Sequence, residues 1–242
     1  MSYSVLVTGG SGGIGRATAL RLAEEGHRVA FTYNRSEPPA DLVERGCLPV
    51  QCDVTDAEQV ELALKKIKDE IGPVRVLVAN AGITRDNLLI RMSDDDLENV
   101  VHTNLTSNIR LARAVIAGSD GMARAKQGRV IFIGSAVGMR GEKGQVNYAA
   151  SKAGLIGAAR ALAREYGSRG ITANVVAPGL TRTAMVDQLS EAVQQDMVSQ
   201  IPLQRMADPK EIASAVAFLA GEGGSYITGA VLPVDGGAGM GH

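Results

Sequence analysis

Short apolar runs alternate with longer helix-like stretches along the whole chain. SVLVT (4–8) is continuously apolar, as a strand covered on both faces should be. Further strands are expected at RVAFT (28–32), LPVQC (48–52), VRVLVAN (74–80), GRVIFIGS (128–135), ITANVVA (171–177) and AVLPV (230–234). Helical stretches fill the gaps. Residues 16–25 have helical composition and stop at Gly26, and Thr55-Asp56 open AEQVELALKKIKDEI, which Gly72-Pro73 ends. Ser93-x-x-Asp96 resembles a capping box ahead of a long helix. Residues 147–166 form the next helix, and Asp208-Pro209 supplies an N-cap and first-turn proline for one ending near Ala220.

Unbroken β–α alternation predicts an α/β, doubly wound (Rossmann-type) parallel sheet of about seven strands with helices on both faces and right-handed crossovers. No linker rich in Pro, Gly or Ser divides the chain, so residues 1–242 are expected to form a single domain. Composition narrows the class. Hydrophobic residues make up 45% and the formal net charge is −1, so nothing in the balance points to nucleic acid or a membrane surface. Two cysteines, Cys47 and Cys52, exclude a disulfide framework, and their C-x4-C spacing is not a zinc spacing; no metal site is expected. The N-terminus has no basic, then apolar, signal pattern, and no run of about 18 apolar residues occurs. A cytoplasmic protein is expected.

The stretch VLVTGGSGGIG can be read two ways. Gly9-Gly10-Ser11-Gly12-Gly13 satisfies G-x-S-x-G, the turn that exposes a nucleophilic serine in hydrolases. Gly9, Gly13 and Gly15 satisfy G-x-x-x-G-x-G, a variant dinucleotide loop. The loop follows the first strand and opens a helix, which suits a pyrophosphate: glycines let the backbone approach, and a helix N-terminus favours negative charge. A hydrolase needs a downstream acid and histidine, and the only histidines are His27, His102 and His242. Ser11 then shapes the loop or bonds a phosphate. Asp53, in CDV after the third strand, could accept a bond from an adenine amino group, or simply cap a turn. Asn80-Ala81-Gly82 ends the fourth strand, where open α/β sheets bind ligands.

Ser135, Tyr148 and Lys152 carry the chemistry. Tyr148 and Lys152 are four apart and share a helix face. An ammonium beside a phenol favours the phenolate and lowers its pKa, so the tyrosine can exchange protons near neutrality. Ser135 ends a neighbouring strand and could bond the reacting oxygen.

With TGGSGGIG, CDV, NAG, Asn104 in HTNLT, Ser135, Tyr148-x-x-x-Lys152 and Pro178-Gly179 in this order, the chain resembles the short-chain dehydrogenases/reductases over essentially its whole length. ITRDNLLIRM (83–92), GQVNYAASKAGLIG (144–157), SRGITANVVAPG (168–179) and YITGAVLPVDGG (226–237) bring it closest to the 3-oxoacyl-[acyl-carrier-protein] reductases of fatty acid synthesis. The resemblance implies roles. Lys152 would bond the nicotinamide ribose and lower the pKa of Tyr148, Tyr148 would protonate the substrate carbonyl, and Ser135 would orient it. Asn104 would hold a relay water, its bland alternative being a helix kink. Gly9, Ser11, Gly13, Ile14, Gly15, Asp53, Val54, Asn80, Ala81, Gly82, Pro178, Gly179, Leu180 and Thr183 would complete the cofactor site.

An acid after the second strand would hold a ribose 2′-hydroxyl and repel a 2′-phosphate. Asn34-Arg35 stand there instead, so NADPH is favoured over NADH, with Arg35 on the phosphate; Gly12, where many NADPH members carry Arg or Lys, departs from that pattern. Arg182 and Ala184 replace acids common in related reductases, pointing to a different acyl group. Gly118-Ser119-Asp120-Gly121 interrupts an expected helix, and glycine costs about 1 kcal/mol per position in a helix interior, so a bulge or break is expected. The resemblance implies a homotetramer, an acyl thioester substrate and an acidic acyl-carrier protein, with Lys126, Arg129 and Arg169 as part of a docking patch near the site or as scattered solvated charges. The rivals are a ketoreductase acting on a polyketide or another small ketone, a non-catalytic dinucleotide sensor, and, remotely, a serine hydrolase.

Overall fold

In the computed structural model, which describes residues 2–183, 186 and 190–240, seven strands form one parallel sheet in the order β3-β2-β1-β4-β5-β6-β7. In chain order the strands are β1 (Ser4–Val7), β2 (Arg28–Tyr33), β3 (Leu48–Gln51), β4 (Val76–Ala79), β5 (Gly128–Ile133), β6 (Ile171–Pro178) and β7 (Val231–Val234). The helices are α1 (Gly13–Glu24), α2 (Ala40–Glu44), α3 (Ala57–Ile71), α4 (Asp94–Val101), α5 (Ser107–Ala117), α6 (Met122–Ala125), α7 (Val137–Arg140), α8 (Val146–Tyr166), α9 (Glu191–Ser199) and α10 (Pro209–Ala220). All seven predicted strands form, trimmed by a residue or two at some ends. The short helices α2, α6 and α7, and α9, were not anticipated.

The apolar runs now have their explanation. Successive strand residues point to opposite faces. Leu6, Leu77, Val130, Phe132 and Ala173 enter one core with Ile67 of α3, Leu111 of α5 and Leu155 of α8. Their neighbours Val5, Val7, Val76, Val78, Ile131 and Ile133 enter the other with Leu22 of α1 and Ile212 and Val216 of α10. The central strands therefore have no polar face to show in the sequence. Burying each large aliphatic side chain contributes about 1.5–3 kcal/mol, so both faces contribute strongly to stability.

Helix ends follow local chemistry. Asp56 caps α3 by accepting from the amides of Glu58 and Gln59, and Asp208 and Glu211 form a capping box at α10 with Pro209 in its first turn. Ser93 caps α4 through the Asp96 amide, but the expected long helix is not continuous. A π turn at His102–Thr106 joins α4 to α5. Further on, Gly118 ends α5, and a turn closed by Gly121 N–H to the Gly118 carbonyl at 2.7 Å leads into α6. The expected break at 118–121 is thus a real end of the helix. No helix among the described residues is long and apolar enough to cross a membrane.

The strand order reverses between β1 and β4. Loops leaving those strands diverge, opening a crevice at the carboxyl edge of the sheet.

Candidate active site

The glycine loop lines that crevice. Gly9 (φ +65°) and Gly13 (φ +51°) occupy the left-handed region, and a Cβ on Gly15 would overlap the Gly9 carbonyl and come within 2.6 Å of Asn80 Nδ2. The first-turn amides of α1 receive no side-chain cap, and around Gly12 a Cβ would meet nothing within 4 Å. Open backbone amides at a helix N-terminus are what a pyrophosphate requires. Ile14 packs beneath the loop on the core. Ser11 is part-exposed in the loop, and among the described residues no hydrogen bond joins it to a histidine. His27 lies at the opposite sheet edge, accepting from the Tyr3 amide at 3.1 Å and stacked on the Tyr3 ring, and His242 lies outside the described residues. The hydrolase reading loses its base.

Asn80-Ala81-Gly82 is stapled to this loop. Thr8 Oγ1 accepts from the amides of both Asn80 and Ala81 at 2.9 Å, while Asn80 Nδ2 donates to the carbonyls of Thr8 (2.9 Å) and Gly9 (3.2 Å). Thr8, fully buried, was not singled out in the sequence; a threonine between strand and glycines is the signal that could have found it. Along the crevice, Asp53 accepts from the amide and hydroxyl of Thr55 and from Asn34 Nδ2 at 3.1 Å. The Thr55 bonds, with help from Asn34 and Arg35, hold its carboxyl below the usual carboxylate range. One face of Asp53 is thus committed to its own turn, with Val54 part-buried beside it, and Arg35 stands exposed next to it.

At the catalytic end, Ser135 leaves β5, Tyr148 and Lys152 project from α8, and Asn104 comes from the π turn. The Ser135 hydroxyl accepts from the Val137 amide at 3.1 Å and lies close enough to the Tyr148 phenol to pull its pKa down. Lys152, 4% exposed, donates from Nζ to the Ile133 carbonyl at 2.8 Å and lies 5.5 Å from the Tyr148 ring centre. Asn104 is fully buried. Its Oδ1 accepts from the Ile83 amide at 2.8 Å, and its Nδ2 donates to the Ile83 carbonyl (2.9 Å) and Ser151 Oγ (3.2 Å). Gly82 sits between them: a Cβ there would lie 3.0 Å from Asn104 Oδ1 and 3.5 Å from Lys152 Nζ. The four sequence-predicted catalytic residues are brought together.

One expectation reverses sign. Lys152 is expected to draw the Tyr148 pKa down; instead burial pushes it up, opposed by the nearby Ser135 hydroxyl, with the Asp86 charge adding to the rise. Burial also lowers Lys152 to about 8. Both groups are shaped first by desolvation, which disfavours either charged form. The phenol therefore rests protonated, as a proton donor should.

Pro178 closes β6, Gly179 is pressed so closely on Asp235 that a Cβ would lie 2.7 Å from its Cα, and Leu180 accepts from the Ala207 amide at 2.9 Å. Thr183 reaches the glycine loop, 3.1 Å from where a Gly13 Cβ would be. Arg182 is exposed, and Ala184 lies outside the described residues. The basic trio is not near the site. Lys126 and Arg129 flank the start of β5, and Arg169 precedes β6, so they lie at the opposite end of strands whose carboxyl ends carry Ser135 and Pro178. Six strand residues span about 20 Å. A cavity of about 810 Å³ is equally remote; it runs between α3 and the end of α5, past Lys68 and the Gly118–Gly121 turn.

A family model described as Enoyl-(Acyl carrier protein) reductase matches residues 9–239. The chain is 50% identical over 242 residues to the 3-oxoacyl-[acyl-carrier-protein] reductase MabA of Mycobacterium tuberculosis, covering 100% of this chain and 95% of that one. The chain belongs to the short-chain dehydrogenase/reductase family. Similarity extends to the 3-oxoacyl-[acyl-carrier-protein] reductases FabG of Escherichia coli (48%) and Vibrio cholerae (47%), each over 235 residues, 96% of this chain and 95% of theirs.

Proposed function

We propose that this chain, as one catalytic unit spanning residues 1–242, reduces a 3-oxoacyl thioester to the 3-hydroxyacyl thioester with NADPH. The carrying observation is Tyr148 set beside buried Lys152, whose Nζ lies 5.5 Å from its ring centre, with Ser135 next to the phenol at the carboxyl edge of the sheet. Identity of 48–50% to reductases named for that reaction supports it.

The crevice suits a dinucleotide. Gly9, Gly13 and Gly15, with Ser11 and Ile14, would cradle the pyrophosphate at the start of α1; Asp53 and Val54 would meet the adenine. Asn80, Ala81 and Gly82 would back the ribose, and Pro178, Gly179, Leu180 and Thr183 the nicotinamide. When bound, the cofactor supplies hydride to the carbonyl carbon. The protein handles the oxygen. Ser135 and Tyr148 donate hydrogen bonds to it, and Tyr148 surrenders its proton as negative charge develops there. Lys152, protonated below about pH 8, bonds the ribose and steadies the resulting phenolate. Asn104, locked on Ile83 and Ser151, fixes the wall behind Lys152 and would hold the relay water. For the cofactor's 2′-phosphate, Arg35 is the exposed cation after β2, beside Asp53.

An enoyl reduction, which the family model's description names, is the second reading. It protonates carbon rather than oxygen, and a serine–phenol pair aimed at one oxygen favours the carbonyl reaction. Supply of acetoacetyl-CoA with NADPH or NADH separates these: consumption of NADPH is expected, with crotonyl-CoA inert. Turnover of crotonyl-CoA alone would reverse the assignment. Acyl-carrier protein is the proposed carrier, and a polyketide-type ketone is the alternative substrate if both thioesters fail. The protein is proposed to act in the cytoplasm as a homotetramer, supported by the exposed Leu89, Ile90, Ile109 and Val146.

A further inference from the structure

Asn108 is buried, 1% exposed, in the first turn of α5. Its Nδ2 donates to two main-chain carbonyls, Asn104 at 2.7 Å and Ala81 at 3.3 Å, while its Oδ1 is buried with no hydrogen-bond partner among the described residues. The amide orientation is not arbitrary. Both neighbours are acceptors, so the nitrogen must face them and the oxygen is necessarily left over. An idle buried acceptor costs free energy, and an apolar residue of the same volume would avoid that cost. The side chain is retained for its two donors.

Those donors join two parts of the site that share no strand or helix. Ala81 is already held from the other side by Thr8 Oγ1, so Asn108 completes a grip on both ends of that residue's backbone. Asn104 belongs to the π turn, where the Ser107 amide and hydroxyl both donate to the His102 carbonyl. Gly82, between Asn104 Oδ1 and Lys152 Nζ, is the next residue after Ala81. Movement of either carbonyl would move the wall on which Lys152 and Asn104 are set.

We propose that Asn108 is a positioning residue of this site, clamping the Asn80-Ala81-Gly82 turn to the π turn through its two amide hydrogens. The catalytic consequence rests on the carbonyl-reductase reading; the clamp itself does not. The test compares wild type, Asn108→Leu and Asn108→Ser by melting temperature, by kcat and KM with acetoacetyl-CoA, and by hydrogen exchange of the Ile83 amide, which is bonded to Asn104 Oδ1. In Asn108→Leu, kcat should fall about tenfold with little change in thioester KM, as for a misplaced catalytic group. The Ile83 amide should exchange faster, and the melting temperature should hold or rise. A serine hydroxyl can reach back one turn to the Asn104 carbonyl but not to Ala81, so Asn108→Ser should recover part of kcat. Leucine with kcat and Ile83 exchange within about twofold of wild type would overturn the proposal. So would a kcat loss in both variants that merely tracks a lowered melting temperature. If wild type itself reduces no thioester, the reductase reading fails, and the Ile83 exchange still decides the clamp.

Discussion

At the scale of single residues, the site is governed by what burial does to two titratable groups. Tyr148 is pushed up and keeps its proton; Lys152 is pulled down to about 8. Tyr148→Phe removes the donor and leaves the cofactor cradle, so turnover should drop about 10²–10⁴-fold. Dinucleotide affinity, read by fluorescence titration, should stay near wild type. A variant with full turnover would remove Tyr148 from the chemistry. The Lys152 shift has a pH signature. Reduction should fade as pH rises through about 8, because the ammonium that bonds the ribose is lost. Its effect on stability runs the other way. A lysine with a depressed folded pKa binds fewer protons folded than unfolded between about 8 and its ordinary value of 10.5, so that contribution improves as pH rises across that window and is a fixed penalty below it. The penalty is on the order of 3 kcal/mol. Lys152→Met should therefore be inactive yet no less stable in urea unfolding at pH 7; marked destabilisation would show that the bond to the Ile133 carbonyl outweighs the buried charge.

Among elements, the glycine loop and α10 illustrate how local chemistry was legible and where it was not. Gly9, Gly13 and Gly15 could be read from their spacing alone; in the structure Gly9 and Gly13 take positive φ and Gly15 packs against the Gly9 carbonyl. Gly15→Ala should weaken dinucleotide binding by tenfold or more, roughly, since the methyl must displace the Gly9 carbonyl and Asn80 together. Calorimetric titration checks it, and unchanged affinity would refute the steric account. The Asp208-Pro209 start of α10 was equally plain, because a cap is written in adjacent residues. Asp208→Ala should cost about 1 kcal/mol in denaturant unfolding. The helix after Ser93 was misjudged as continuous, since a π turn has no compositional mark: HTNLT is ordinary helix by pattern. Thr8, Ser151 and Asn108 went unnoticed for the same reason. Each has a partner distant in sequence, the Asn80 and Ala81 amides for Thr8, the Asn104 side chain for Ser151 and the Ala81 carbonyl for Asn108, and no spacing rule reports those.

For the molecule as a whole, alternation of apolar runs with helices was enough to give a parallel sheet, because strands buried on both faces leave nothing polar to confuse the pattern. Strand order was beyond that reading: the reversal between β1 and β4 that opens the crevice depends on pairings across the chain. So was the location of Lys126, Arg129 and Arg169, which the sheet sets at the edge away from Ser135. Leu89, Ile90, Ile109 and Val146, by contrast, remain exposed near α4, α5 and α8 despite the break at Gly118. Sedimentation should give a tetramer, and Ile90→Asp should shift it toward smaller species; a monomer in wild type would leave those apolar side chains unexplained.

The π turn at His102–Thr106 fits one residue more than a regular helix would use. Each residue turns an α-helix by about 100°. Shortening the segment by Thr103 would leave α5 and its core contacts a helix that can still form, but Asn104 would swing roughly a quarter of a circle from Ile83. Length at this point of the chain is therefore a property of the site: the protein should accept many side chains at Thr103 and no deletion.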